Sequence, residues 1–220
     1  MLLHQLIAPD VPIAAPSDDR DTIQSLLFTA QLQQIPIVSQ SQYLGLLAAK
    51  DLLQLLPEST KLDPHLYEDF RPAISINAHP FEALRIMHLH ELSILPVINE
   101  DHEYAGCLSQ ERLMQYLIES INIDVLGGII VLEMEPRNYS LAQIARICEN
   151  EQVIILGVQA KTNPSSSKLE VTIKTNSTDL SAVVQAFERY DYSVVDTFGD
   201  TKIENDTSDR YRLLMNYINM

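Results

Sequence analysis

Two stretches of the chain, Leu26 to Leu56 and Leu84 to Leu117, repeat each other about 60 residues apart. An internal repeat restricts the fold more than any single motif, because two like units must pack around related cores. In each copy a helical apolar pattern runs into a hydrophobic-proline-hydrophobic step, Ile35-Pro36-Ile37-Val38 and Leu95-Pro96-Val97-Ile98. A turn follows, then an aromatic two residues before a glycine, Tyr43-Leu44-Gly45 and Tyr104-Ala105-Gly106. An apolar strand and a second helix close each copy, Lys50 to Leu56 and Glu111 to Leu117, and the second copy has one extra turn residue.

The helical phase is explicit. Ile23, Leu26, Leu27 and Ala30 fall at i, i+3, i+4 and i+7, and the matching positions are Ala83, Ile86, Met87 and His90. Ser17-Asp18-Asp19 supplies N-cap and first-turn acidic residues after a lead-in punctuated by Pro9, Pro12 and Pro16. His88 and His90 sit two apart and point to different helix faces, so with His79 they make a poor metal set. Residues 57–72 form a polar, proline-bounded connection in which Tyr67-Glu68-Asp69-Phe70 reads as a short helix leading into the second repeat.

Beyond Gly127-Gly128 the pattern becomes strand (Ile129 to Met134), helix (Ser140 to Asn150), strand (Val153 to Thr162), strand (Lys168 to Thr175), helix (Asp179 to Tyr190), strand (Tyr192 to Phe198). The expected core stripes are Leu141, Ile144, Ala145, Cys148 and Leu180, Val183, Val184, Phe187. Asn163-Pro164-Ser165-Ser166-Ser167 reads as a hairpin tip, and Leu169, Val171 and Ile173 alternate with polar residues as one buried strand face. This βαββαβ order predicts a ferredoxin-like α+β sandwich. Its second strand, Val153 to Ala160, carries no charge and is expected at a sheet edge, where pairing with a second copy would make a homodimer. A short terminal helix is expected over Asp209 to Met220.

The formal net charge is −15, and residues 1–120 hold six basic against 16 acidic side chains, a formal −10. Binding to a phosphate backbone rests on clustered Lys and Arg, so neither nucleic acid nor an anionic membrane is an expected partner. No run approaches the length of a membrane span, and the N-terminal residues lack a signal-peptide pattern, which gives a cytoplasmic expectation. Cys107 and Cys148 lie in apolar patterns without metal or redox spacing and are expected to be buried.

Residues 1 to about 122 resemble a tandem pair of cystathionine-beta-synthase (CBS) domains, with repeat 1 at about 1–60 and repeat 2 at about 65–122. The resemblance rests on Ala83-Leu84-Arg85-Ile86-Met87, the Leu-Pro-Val-Ile step, the glycine and the strand-to-helix turn, all recurring in register. It implies a module that binds adenosine-containing ligands, AMP, ADP, ATP or S-adenosylmethionine, in clefts between its halves. In that family the turn reads glycine, two apolar residues, Ser or Thr, two further residues, then Asp; the hydroxyl meets phosphate and the carboxylate the ribose. Gly45-Leu46-Leu47-Ala48-Ala49-Lys50-Asp51 keeps the carboxylate and has alanine for the hydroxyl; Gly106-Cys107-Leu108-Ser109-Gln110-Glu111-Arg112 keeps the hydroxyl and has arginine for the carboxylate. A ribose lacking its carboxylate loses about 1 to 3 kcal/mol, so weak binding is expected. Asp51 is the favoured centre of the site, with Gly45, Ser109 and the cations Lys50 and Arg112 as further candidates.

Residues 127–198 resemble an ACT domain, a fold that often senses amino acids, and 199–220 form a C-terminal extension. The likeness rests on element order and on Val131-Leu132-Glu133 leading to Leu141-Ala142-Gln143-Ile144-Ala145. It makes Asn138, Tyr139 and Ser140 the candidate ligand loop, with Tyr139 where the family commonly has glycine. A CBS pair followed by ACT resembles the acetoin-utilisation accessory family. No phosphate-cradling glycine loop, nucleophile elbow or His-Glu-x-x-His set occurs. The expected function is therefore non-catalytic: a ligand sensor acting on a regulated protein that the residues do not name. The alternatives are a scaffold with degenerate sites and an amino-acid sensor.

Overall fold

The computed structural model describes residues 3–8, 10–52 and 62–199. The last part of the expected Lys50 to Leu56 helix, the start of the 57–72 connection and the expected helix over Asp209 to Met220 lie outside them. The chain divides into two compact units, Met1–Leu117 and Ile118–Met220.

Unit 1 contains the repeat. Its first copy runs α1 (Arg20–Thr29), β1 (Gln34–Ser39), β2 (Gln42–Ala48) and α2 (Ala49–Leu52); α3 (His65–Glu68) and β3 (Ile74–Ser75) lead into α4 (Pro80–Leu89), β4 (Ile94–Ile98), β5 (Tyr104–Ser109) and α5 (Gln110–Ser120). The equivalent helices α1 and α4 are capped in the same place: Asp19 Oδ1 accepts from Thr22 N at 2.7 Å, and His79 Nδ1 accepts from Phe81 N at 3.1 Å. Both helices end on a left-handed non-glycine residue, Gln31 (φ 53°) and Glu91 (φ 51°). Capping accounts for His79, His90 is exposed, and no metal-holding cluster occurs among the described residues.

The hairpins superpose in register. Ile37 pairs with Gly45 and Val97 with Gly106, each ladder slips at the next residue, and pairing resumes at Val38–Tyr43 and Ile98–Tyr104. The longer second interval is the extra turn residue. Pro36 is tolerated within β1 because its flank meets only a short segment: Ala14 N donates to Pro36 O at 3.0 Å and Val38 N to Ala14 O at 2.9 Å, and no donor is needed from residue 36.

Each lead-in segment packs on the other repeat. The 3-10 turn Leu3–Leu6 joins the core of the second copy with Ile94, Leu95, Cys107 and Leu108, whereas Tyr67 of α3 joins that of the first with Ile23, Ile35 and Leu47. Ile7 lies against Gly106 and the Tyr67 carbonyl against Gly45, so both motif glycines are places of close approach. Equivalent residues Gln42 and Glu103 bridge to each other, placing a local two-fold between the copies. Gln34 Oε1 ties the copies again by accepting from Ser93 N at 3.0 Å and Ser93 Oγ at 3.2 Å.

Unit 2 contains β6 (Ile129–Met134), α6 (Leu141–Asn150), β7 (Ile155–Thr162), β8 (Leu169–Thr175), α7 (Ser181–Arg189) and β9 (Ser193–Phe198). Sheet order β7-β8-β6-β9, antiparallel throughout, is the ferredoxin-like arrangement expected from the element order. Val171 and Ile173 are buried as expected. The α6 stripe is shifted: Ile144, Ile147 and Cys148 are buried, while Leu141, the first residue of the helix, is 48 % exposed.

The second strand lies at the edge, but not with the expected span. Val153 and Ile154 are drawn out of it, Val153 N closing the end of α6 on Cys148 O at 2.9 Å and Ile154 N bonding Asn176 Oδ1 at 2.8 Å. At its other end the strand reaches Thr162 as the element order predicts, past the uncharged run that stops at Ala160, and so takes in Lys161, paired with Glu170 at 3.0 Å. Asn122 Nδ2 also donates to Leu156 O at 3.0 Å. The uncharged run Val153 to Ala160 is thus replaced at the edge by a strand of equal length, Ile155–Thr162, that carries a cation.

Candidate functional site

The β5–α5 junction of the second copy is held by three bonds. Gln110 N donates to Ser93 O at 3.1 Å, Gln110 Nε2 to Leu92 O at 3.0 Å, and Arg112 N to Ser109 Oγ at 3.2 Å, so Ser109 caps the start of α5. Ser109 and Arg112 open onto a cleft of about 420 Å³, bordered by Ala8, Asp10 and Val11 of the N-terminal arm, Ala30 and Leu32 beyond α1, and Glu111 and Gln115 of α5. The arm is fixed there because Ala8 N donates to Cys107 O at 2.8 Å and Ile7 packs on Gly106, whose φ of 135° suits glycine. Among the described residues Arg112, Asp10 and Glu111 form no ion pair with one another or with other groups.

The first copy presents a different surface. Asp51 is half-buried and Lys50 exposed on α2, whose continuation lies outside the described residues; Gly45 is buried beneath the Tyr67 carbonyl. Sixty residues on from Asp10 and Ala30 of the open cleft stand Phe70 and His90, with ring centroids 5.5 Å apart, edge to face. Where the second copy has a carboxylate and a methyl group, the first has two rings in edge-to-face contact. Sequence reasoning missed Asp10 and this aromatic pair; the 60-residue offset applied to the lead-in segments would have found both.

Tyr43, Tyr104 and Cys107 gather near the local two-fold. Tyr43 donates to Pro72 O at 3.0 Å, and Tyr104 Oη contacts Cys107 Sγ at 3.4 Å. Burial pushes both phenols well above their ordinary range, and pushes the Cys107 thiol up to about 12 although the Tyr104 hydroxyl works against it. These groups stay neutral and pack.

In unit 2, Ser140 Oγ accepts from Gln143 N at 3.3 Å and so caps α6, and Tyr139 stands 36 % exposed after the 3-10 turn Pro136–Asn138. Asn138 borders a cleft of about 330 Å³ with Met134, Gln143, Tyr190, Asp191 and Tyr192, which neither Tyr139 nor Ser140 lines.

Residues 69–119 match the family model of the CBS domain. Among solved structures the chain is similar to a CBS domain pair/ACT domain protein from Thermotoga maritima, with 19 % identity over 55 % of this chain and 99 % of that one and a TM-score of 0.47. It is also similar to CBSX2 in complex with AMP (18 % identity, 54 % of this chain and 96 % of that one, TM-score 0.47). A third is the CBS domain of a bacterial CNNM/CorC family Mg2+ transporter in complex with ATP (16 % identity, 54 % and 87 %, TM-score 0.44). The fold is α+β: two like αββα units, the second of which matches the CBS domain model, followed by a ferredoxin-like unit. Among the described residues no helix is long and apolar enough to cross a membrane.

Proposed function

We propose that the chain is a non-catalytic regulatory sensor whose CBS pair binds an adenosine-type nucleotide in the cleft beside Ser109 and Arg112. The observation that carries this reading is the cleft itself: a hydroxyl, a guanidinium and two carboxylates that form no ion pair among the described residues border one opening of ligand size. AMP, ADP, ATP and S-adenosylmethionine are the candidate ligands. Binding is weak, because the family's carboxylate position in this turn is Arg112. Asp51 becomes a secondary candidate, since in the first copy the aromatic pair Phe70 and His90 takes the positions equivalent to Asp10 and Ala30.

The ferredoxin-like unit is the ACT-type partner of this sensor, as in the acetoin-utilisation accessory family, and the chain works as a cytoplasmic homodimer on a regulated protein. Calorimetric titration of the full chain with the four ligands tests the reading. Micromolar to millimolar binding of at least one is expected; no heat at millimolar concentration of any of them would leave the scaffold alternative in its place.

A further inference from the structure

We propose that Asp10, on the N-terminal arm, is the diol-binding residue of this cleft and Arg112 its phosphate anchor, which makes a nucleoside monophosphate the preferred ligand class. The inference rests on the nucleotide reading above and goes further by assigning opposite poles and a phosphate number. Among the described residues the Arg112 guanidinium and the Asp10 and Glu111 carboxylates border one cleft without forming an ion pair, so a ligand with an anionic end and a hydrogen-bond-donating end can engage both kinds of group. A carboxylate accepts both hydroxyls of a vicinal diol, and a guanidinium meets two phosphate oxygens. Among the lining residues Arg112 is the sole cation, set against Asp10 and Glu111. Each phosphate beyond the first therefore adds repulsion without adding a partner. A metal ion is disfavoured by the same guanidinium.

The arm makes the assignment specific to this half of the pair. Asp10 follows Ala8, which is bonded to Cys107 of β5, and the corresponding place sixty residues on is Phe70, which donates and accepts nothing through its side chain. The departure from the usual turn at Arg112 is thus matched by a carboxylate arriving from a different segment.

The test is calorimetry on the full chain with AMP, 2′-deoxy-AMP, adenosine, ATP and S-adenosylmethionine, for wild type, Asp10→Asn and Arg112→Gln. Wild type should bind AMP about tenfold more tightly than 2′-deoxy-AMP or ATP. Asp10→Asn should lower AMP affinity about tenfold and remove the preference over the deoxy compound; Arg112→Gln should weaken AMP and leave adenosine unchanged. A ribose preference that survives Asp10→Asn overturns the role of Asp10 while nucleotide binding stands. S-adenosylmethionine or ATP binding more tightly than AMP overturns the monophosphate assignment. No binding by any of the five compounds overturns both the assignment and the nucleotide reading.

Discussion

The carbonyl oxygen of Tyr67 occupies the space that a Cβ on Gly45 would need, and the side chain of Ile7 occupies the equivalent space over Gly106. The two glycines are equivalent in the repeat but fail differently on substitution. Gly45→Ala meets backbone, so no truncation of a neighbour relieves it, and a loss of about 1 to 3 kcal/mol is expected. Gly106→Ala meets a side chain that Ile7→Ala removes, leaving only the strain of a φ of 135°. Chemical denaturation of Gly106→Ala alone and combined with Ile7→Ala checks this. Equal stability of the two would show that the Ile7 contact is not the source of the loss.

Most of the fold was legible because it is written locally. Caps at Asp19 and Ser140, the proline-containing strands and the apolar periodicity of Ile23 and Leu27 mark where elements begin and which way they face. The site was less legible because its parts come from segments that local patterning does not join. Asp10 borders the same cleft as Ser109 only through the crossed packing of the N-terminal arm, and Phe70 meets His90 at the equivalent positions of the first copy. The shifted edge strand has a similar cause: Ile154 has strand propensity, yet its backbone is claimed by Asn176.

The asymmetry between the two mouths predicts different responses to mutation. Asp51→Ala is expected to leave AMP affinity within about twofold of wild type, in contrast with the roughly tenfold losses at Asp10 and Arg112. Replacing Phe70 and His90 together with alanine removes the edge-to-face rings, and equilibrium titration should then show a second, weaker adenosine-binding event. A full loss of binding in Asp51→Ala would move the ligand to the first copy.

Stability should fall above pH 9 because of the buried thiols. Cys107 is pushed up from an ordinary 9.0 to about 12, and Cys148 to about 11, both by burial. Between 9.0 and the folded-state values the unfolded chain releases a thiol proton that the folded chain keeps, so the contribution is intact below pH 9 and declines as pH rises. Each thiol accounts for a slope of about 1.4 kcal/mol per pH unit within that window. Urea unfolding at pH 8 and pH 10 measures the drop, and Cys107→Ala should show a smaller drop than wild type whatever its starting stability. An identical drop would place the titration elsewhere.

A homodimer built on β7 has a restricted edge to use. The Leu156 carbonyl is already engaged by Asn122, Lys161 is held by Glu170, and Val158 to Ala160 lie between them. Among the described residues no strand pairs with the outer side of β7, so backbone pairing about a two-fold would satisfy groups that otherwise face solvent. Neighbouring residues of a strand point their N–H groups to opposite sides. Of Val158→Pro and Gln159→Pro, one therefore removes a donor from the outer edge and the other from the ladder with β8. Light scattering at micromolar concentration should give a dimer mass for wild type. The outer-edge variant should give a monomer mass with an unchanged circular dichroism spectrum, while its neighbour loses stability. A wild-type mass near 24.9 kDa would sink the dimer, and a dimer that survives both substitutions would place its interface away from β7.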